Sequence, residues 1–322
     1  MAYTTIDDGS EYFQTALYTG NEASRSITNT GNSDLKPDWV WIKERNNAIS
    51  HRIFDSSRGA TKRMFSNNTD AESTQSNSLT AFNTDGFSLG DGTSVNGNSD
   101  TYVAWQWKAN GGTTSSNTDG SITSTVQANT TVGFSIVTYS GNGSTGTVGH
   151  GLGAVPKLYI VKRRNGSGWS WYTYSVHKGA GHTLYLNSNS TGDSDTTVWQ
   201  NTSPTSSVFY VGARDGVNGS DGNMVAYCFA EIEGYSKFGS YTGNGDADGV
   251  FVYTGFKPAW IMLKRTDGTN DWILFDNKRL GYNGDNKRLY PNQTYVEDTT
   301  GFDLLSNGFK ARMTGTTING SG

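Results

Sequence analysis

One sequence pattern occurs three times in this chain of 322 residues. Each copy begins with Tyr, Thr or Ser, Gly and Asn, at Tyr18–Asn21, Tyr139–Asn142 and Tyr241–Asn244. Each copy continues with a proline, one variable residue, four apolar residues and a lysine; these prolines are Pro37, Pro156 and Pro258, and the lysines are Lys43, Lys162 and Lys264. Such self-similarity indicates repeated structural units. A unit used three times is more typical of a scaffold or a binding surface than of a single catalytic site.

The repeats share a later Asn-Gly turn, and they differ in the segment after this turn. The turns are Val95–Gly97, Val217–Gly219 and Ile318–Gly320, and both residue types tolerate a positive φ. In the first two copies a strand with alternating apolar residues comes next, at Val103–Trp107 and Val225–Phe229. The third copy reaches Gly322 without this closing strand. We therefore expect its hydrophobic edge to be covered by residues beyond Gly322 or by another chain.

Composition favours β-structure over helix. Aromatic residues make up 12% of the chain, which is too many for disorder, and Gly, Ser, Thr and Asn separate short apolar runs. No long stretch has helical apolar spacing. The sequence therefore predicts an all-β fold of three tandem antiparallel β-sandwich or jelly-roll repeats, the third lacking its closing strand. The predicted bounds are 1–110, a Gly/Ser/Thr linker at 111–120, 121–235 and 236–322.

Charge and hydropathy argue against several functional classes. The net charge is −4 and no basic tract is present, so nucleic-acid binding is not expected. The N-terminal residues lack the basic and apolar regions of a secretion signal, and no apolar run is long enough to insert into a membrane. The single cysteine, Cys228, rules out an internal disulfide framework and is expected to be a structural thiol.

Several motifs resemble catalytic signatures but lack the required context. Gly141–Gly146 matches a dinucleotide fingerprint without a following helix, and Gly86–Gly90 matches a nucleophile elbow without one. The pairs Asp55/Arg58 and Asp276/Arg279 are interpreted as local ion pairs, because no second carboxylate accompanies them for glycosidase chemistry. We therefore predict no catalytic, cofactor-binding or metal-binding residue, and no enzymatic activity.

An aromatic segment supplies the candidate binding residues. Trp169, Trp171, Tyr172 and Tyr174 alternate with small polar residues, so one side of this segment could be displayed to solvent. Exposed aromatic rings stack on sugars or anchor protein interfaces. The alternative is that most of these rings fill the sandwich core. The sequence leaves both interpretations open.

The second copy resembles a known repeated domain. Its segments Thr118–Val126, Gly133–Gly143, Val148–Gly153 and Pro156–Leu158 are similar to a domain of structural proteins from tailed bacteriophages, including phages of marine bacteria and cyanobacteria. The resemblance implies a β-sandwich of the concanavalin-like lectin type and a place on the virion. It transfers no catalytic residue. It also accounts for the missing secretion signal, since virions assemble in the host cytoplasm.

These observations predict a virion structural protein. The leading hypothesis is a tail-fibre or other surface-fibre component used in host attachment. The first alternative is a capsid or tail decoration protein that binds other virion proteins. The second alternative is an envelope-polysaccharide depolymerase. The expected partners are other virion proteins, a host-surface glycan and further copies of the chain, with no nucleic acid and no cofactor. Repeated modules would convert weak glycan contacts into avidity.

Overall fold

The computed structural model describes residues 4–279, 283 and 285–321. Met1 to Tyr3, where a secretion signal is not expected, and Gly322, where the third copy ends, lie outside the described residues. The fold is all-β, as the sequence predicts: its strands pair antiparallel in several sheets, and none of these sheets closes into a barrel. Within the described residues, the helical elements are one 3-10 turn, Gly9–Glu11, and three single-turn helices, α1 Thr93–Asn96, α2 Asp215–Asn218 and α3 Thr316–Asn319.

The strands are short and are distributed over all three repeats. Within the first repeat they are β1 Phe13–Thr19, β2 Arg25–Ile27, β3 Trp39–Glu44, β4 Arg52–Asp55, β5 Lys62–Arg63, β6 Ser73–Thr74, β7 Leu79–Phe82, β8 Phe87–Leu89 and β9 Thr101–Trp107. Next come β10 Ser115–Asn117, β11 Ser124–Asn129, β12 Phe134–Ser140, β13 Gly146–Gly149, β14 Pro156–Arg163, β15 Trp171–Ser175, β16 His182–Tyr185, β17 Asp193–Ser194, β18 Val208–Val211 and β19 Asn223–Ala230. The remaining strands are β20 Phe251–Tyr253, β21 Trp260–Leu263, β22 Ile273–Asp276, β23 Asp285–Arg288, β24 Asp298–Leu305 and β25 Gly308–Ala311.

The closing strand is the centre of the main sheet in each of the first two repeats. The first repeat has the strand order β1-β9-β3-β4, and the second contains the corresponding order β12-β19-β14-β15 within an eight-stranded sheet. In the third repeat, the described residues form only the pair β21-β22 at this place, together with a separate sheet β20-β25-β24-β23. A smaller sheet, β2-β8-β7 or β13-β18, faces the main sheet in the first two repeats.

Alternation along the main sheets directs side chains into two different cores. In β3, Trp39 and Trp41 face a central cluster, whereas Val40 and Ile42 face the small sheet of their own repeat. The central cluster contains residues from all three repeats, including Trp105 of the first, Tyr227 of the second and Trp272 of the third. The three main sheets therefore bury one face against each other and the other face within their own repeat.

Three equivalent contacts, two of them hydrogen bonds, connect the repeats around this central cluster in a cyclic order. The Trp171 indole N–H of the second repeat donates to the Phe65 carbonyl of the first over 2.8 Å. The corresponding Trp272 of the third repeat donates to Tyr185 of the second over 2.9 Å. His51, which takes this place in the first repeat, lies beside the Tyr290 carbonyl of the third without reaching full hydrogen-bond geometry. The repeats thus contact each other in a ring.

Residues 111–120, predicted to be a linker, are folded onto both neighbouring repeats. Gly111 and Gly112 adopt φ values of +64° and +88° and form a turn. The Gly111 N–H binds a carboxylate oxygen of Asp38 at 2.8 Å, and the Gly112 N–H binds Gln127 at 2.7 Å. Strand β10 follows within the same segment and pairs with β11. The two glycines of this segment thus adopt turn conformations that are bound to the first and the second repeat.

The shared opening and turn motifs form a clip within each repeat. The hydroxyl groups of Tyr18, Tyr139 and Tyr241 donate to the carbonyls of Val95, Val217 and Ile318 at 2.8, 2.6 and 2.7 Å. The asparagine of each Asn-Gly pair is buried and accepts the backbone N–H of the asparagine in the opening motif. A Cβ on Gly20, Gly141 or Gly243 would collide with the carbonyl oxygen of Gly97, Gly219 or Gly320, respectively. Close backbone contact therefore explains the glycine in each opening motif.

The Asn-Gly pairs do not use the positive φ that the sequence suggested. Asn96 lies in α1, and Gly97 has a φ of −57°; the corresponding values are −58° at Gly219 and −61° at Gly320. Glycine is needed there for space, because a Cβ on Gly97 would approach Asp100 and the Thr93 carbonyl within 2.5 and 2.8 Å.

Replacing Asn96 with alanine should lower the free energy of unfolding by about 1–3 kcal/mol. The Asn96 side chain donates to the carbonyls of Ala23 and Gly90 at 2.7 and 2.9 Å, so these acceptors lose their partner. Urea unfolding followed by tryptophan fluorescence measures the effect. The matched control is Asn98→Ala, an exposed position two residues away, for which we expect a change within about 0.5 kcal/mol. Equal effects of the two variants would contradict the clip.

Candidate functional site

Two of the four predicted contact residues are buried, which corrects their assignment to a binding surface. Trp171 is part of the central cluster, and Tyr174 packs in the core of the second repeat against Tyr159. The physical reason is that both faces of the main sheet are covered, so alternation in β15 directs each ring into one core or the other. Neither residue can contact a glycan in this structure.

The other two predicted residues, Trp169 and Tyr172, are half-buried and are packed against neighbours. The Arg163 guanidinium lies 4.9 Å from the centre of the Trp169 ring. Tyr172 makes an edge contact with Tyr185, with ring centres 5.3 Å apart. The structure therefore does not bring the four predicted residues together as one exposed aromatic surface.

More exposed aromatic rings lie in the third repeat, whereas all four predicted contact residues belong to the second. Phe251 and Tyr253 of β20 have 46% and 60% of their surface exposed, and Tyr295 has 51%. Phe251 and Tyr253 are alternate residues of one strand and share a face. The sequence signal that could have identified them is the alternation of aromatic residues beside a glycine-rich loop. A buried strand has nearly the same alternation, so this signal is weak.

The ammonium groups of the repeated lysines donate hydrogen bonds to backbone carbonyls of nearby loops. Lys43 donates to the carbonyls of Glu44 and Asn47, and Lys162 donates to that of Trp169. Lys264 donates to the carbonyls of Arg265, Asn270 and Asn189 at 2.7, 2.8 and 3.2 Å. Each lysine thus fastens the loop that follows its strand. Burial lowers the pKa of each of the three ammonium groups to about 8.

Stability should rise between about pH 8 and pH 10 and then fall. Above pH 8 the folded lysines lose protons that the unfolded chain keeps up to about pH 10.5, so the unfolded state binds more protons. Burial raises the pKa of the Cys228 thiol and of the tyrosines Tyr18, Tyr139, Tyr159 and Tyr227, which opposes this rise and dominates above about pH 10. Urea midpoints measured from pH 7 to 11 test this profile. A midpoint that falls steadily from pH 7.5 would contradict it, and Lys162→Met should make the rise smaller.

A large groove lies beside β21 in the third repeat. It has a volume of about 1010 Å³. β21 and the segment Ser236–Thr242 line it as two walls, and Phe309 and Ile318 from the core of the third repeat also line it. At its inner end it reaches the central cluster at Trp107. This is the place where the main sheets of the other repeats contain β9 or β19.

The strand beside the groove is less buried than its counterparts. Every residue of β3 is buried, whereas Trp260, Met262 and Leu263 of β21 are half-buried. The segment Ser236–Thr242 corresponds to β1 and β12 but forms no strand. It nevertheless keeps the clip contact, since Tyr241 donates to Ile318. The backbone on both walls is therefore held in place without the strand that would join the walls.

The motifs that resembled catalytic signatures have structural contacts. Asn142 lies inside the segment that matches a dinucleotide fingerprint, and its backbone N–H donates to the side-chain oxygen of Asn218 at 3.0 Å. Gly86 has a φ of +85° and lies against the Ile27 carbonyl, where a Cβ would not fit. In the groove, Asp267 is the one carboxylate side chain lining the walls among the described residues. A pair of facing carboxylates is therefore not formed there.

The described part of the chain has neither a metal-binding cluster nor a membrane-spanning helix. The residues from 4 to 321, apart from the four positions between 280 and 284 that are not described, contain no group of three His, Cys, Asp or Glu side chains arranged to hold a metal ion. Within the same residues, every helix is too short to span a bilayer.

Residues 8–322 match a protein-family model described as a domain of unknown function, DUF7483. The chain belongs to this family. A search of curated proteins and a search of solved structures each gave no match. The DUF7483 match covers nearly the whole chain, so the three sequence repeats and the groove all lie within one family domain.

Proposed function

We propose that this DUF7483 protein is a structural protein of a tailed-bacteriophage virion, serving in host attachment as part of a fibre or other surface component. The resemblance of the second repeat to phage structural domains supports the virion role. The observation that supports attachment is the exposed pair Phe251 and Tyr253, because aromatic rings displayed on one strand face stack on sugar rings.

We further propose that the three repeats are tandem sandwiches of the jelly-roll or concanavalin-like type. The support is the recurrence of the same contacts in each repeat: the tyrosine and asparagine clip, the lysine bound to loop carbonyls and the apolar strand at the proline. These recurring residues are all engaged in folding. What a repeat offers a ligand is therefore its variable surface, as expected of a scaffold that displays binding sites.

Adsorption competition tests the attachment role. Purified protein added to host cells before the phage should reduce adsorption in a dose-dependent manner, and Tyr253→Ser should weaken this competition at least tenfold. Val296→Ser is the control, since Val296 is 43% exposed but is not aromatic. Competition that is absent, or is equal for both variants, would overturn the attachment role.

A capsid or tail decoration protein is the second candidate. The open groove favours it, because a groove that can accept a strand of another polypeptide suits a protein that joins chains together. Gold-labelled antibody on purified virions distinguishes the two candidates: label on fibres supports attachment and label on the head supports decoration. Intact particles without label would contradict both.

A further inference from the structure

The groove beside β21 has the dimensions and the surroundings of one missing β-strand. In the first two repeats the same place holds β9, of seven residues, and β19, of eight. β9 pairs antiparallel with β1 on one side and β3 on the other, and β19 does the same with β12 and β14. The chain thus contains two filled examples of the site that is open in its third repeat.

The filled examples define what the strand must look like. In β9, Val103, Trp105 and Trp107 face the central cluster, while Tyr102 and Ala104 face the core of their own repeat. In β19, Val225 and Tyr227 face the central cluster, and the small or flexible residues Met224, Ala226 and Cys228 face the other side. Both strands therefore place large side chains towards the centre at every second position.

The register follows from the same comparison. Trp39, Trp41 and Lys43 of the first repeat lie opposite Trp107, Trp105 and Val103. Their counterparts in the third repeat are Trp260, Met262 and Lys264. A strand in the groove would therefore place its seventh, fifth and third residues opposite these positions.

A cyclic set of contacts shows where the fifth residue of a strand in the groove would point. Tyr227, the fifth residue of β19, donates from its hydroxyl group to Asp55 of the first repeat at 2.6 Å. Trp105, the fifth residue of β9, donates from its indole N–H to Asp276 of the third repeat at 2.9 Å. The remaining counterpart of these aspartates is Ser175 of the second repeat, and Ser175 lines the open groove. Among the described residues, the ring of contacts therefore lacks one donor, at the position where the strand would supply it.

We propose that the groove is an acceptor site for one extended β-strand that runs antiparallel to β21 and has the apolar alternation of β9 and β19. Its first, third, fifth and seventh positions face the centre, and the fifth is an aromatic residue with a polar group that reaches Ser175. The strand completes the main sheet of the third repeat through backbone hydrogen bonds to both walls. This inference does not depend on the virion role.

Hydrogen exchange on an extended chain tests the acceptor site. The sequence of Asp100–Trp107, Asp-Thr-Tyr-Val-Ala-Trp-Gln-Trp, is added directly after Gly322, where the spacing from the Asn-Gly pair matches that of the first repeat. We expect amide exchange in Trp260–Leu263 to slow by about 100-fold, because the outer edge of β21 gains partners. The control extension carries proline at the Val103 and Trp105 equivalents, which blocks pairing. Unchanged exchange, or equal slowing by both extensions, would overturn the proposal.

Binding of a free strand provides the second measurement on the unmodified protein. A fluorescein-labelled peptide with the sequence of Thr101–Trp107 should bind with an increase in anisotropy. Met262→Lys, which places a charge on the half-buried wall, should weaken binding at least tenfold, whereas Val296→Lys, which places the same charge outside the groove, should not. If two copies of the chain instead pair β21 with β21, protection would depend on protein concentration and the added strand would have no effect. That result would also contradict the proposal.

Discussion

Replacing Arg58 with alanine should lower the free energy of unfolding by about 3–5 kcal/mol, because the change leaves a buried carboxylate without its partner. The Arg58 and Asp55 side chains have no exposed surface, and Nε of Arg58 donates to a carboxylate oxygen of Asp55. Arg58 also binds Glu72 at 2.9 Å. Burial lowers the pKa of Arg58, but the negative charges around it outweigh this effect and raise the pKa, so the guanidinium remains charged.

The chain supplies two internal comparisons for this variant. Arg279→Ala in the third repeat should have a similar cost, since Arg279 and Asp276 are equally buried and make the same contact at 2.6 Å. Lys178→Ala in the second repeat should cost less than about 1 kcal/mol, because Lys178 is half-buried and its partner position is Ser175. Urea unfolding of the three variants measures these differences. A loss at Lys178 as large as that at Arg58 would show that the ion pair is not the cause.

Acid should reduce the stabilisation that the ion pair of Asp276 and Arg279 gives to the folded state. Burial raises the pKa of Asp276, but Arg279 outweighs this and holds the pKa below its ordinary value of 3.8. The stabilisation is therefore complete above about pH 4 and is lost as the pH falls through the lower folded-state pKa.

The sequence predicted the class of fold because the local signals are strong. Pro37, Pro156 and Pro258 are each followed by four apolar residues, a pattern that indicates a strand, and β3, β14 and β21 form at these places. Every residue of β3 is buried, whereas most of β21 is half-buried. The pairs Asp55/Arg58 and Asp276/Arg279 were interpreted as local ion pairs, and the structure contains both. In each case the partners lie a few residues apart, so spacing alone indicates the contact.

The sequence could not predict how the repeats pack against each other. A strand with apolar residues on both faces requires two covering layers, but nothing local identifies the second layer. The central cluster combines Trp41, Trp171 and Trp272 from three repeats, and these residues are far apart in the chain. The same limitation placed Trp171 and Tyr174 among the binding residues, because alternation gives two faces without showing that both are covered.

Replacing Trp171 with alanine should lower the free energy of unfolding by about 3–5 kcal/mol, since it opens a cavity in the central cluster. Trp171 is fully buried, and its indole N–H holds the Phe65 carbonyl of the first repeat. The loss therefore includes packing and a contact between repeats. Thermal unfolding of the variant should show a melting temperature lower by roughly 6 °C or more for a chain of this size.

Trp169→Ala is the matched control, because it removes the same ring two residues away. Trp169 is half-buried and stacks on Arg163, so we expect a loss of about 1 kcal/mol or less. If these residues formed a glycan site and not a core, Trp171→Ala would weaken host-cell binding while leaving the melting temperature unchanged. The structure predicts that Trp171→Ala lowers the melting temperature and leaves host-cell binding unchanged. Binding should be compared under conditions where both the variant and the unmodified protein are folded.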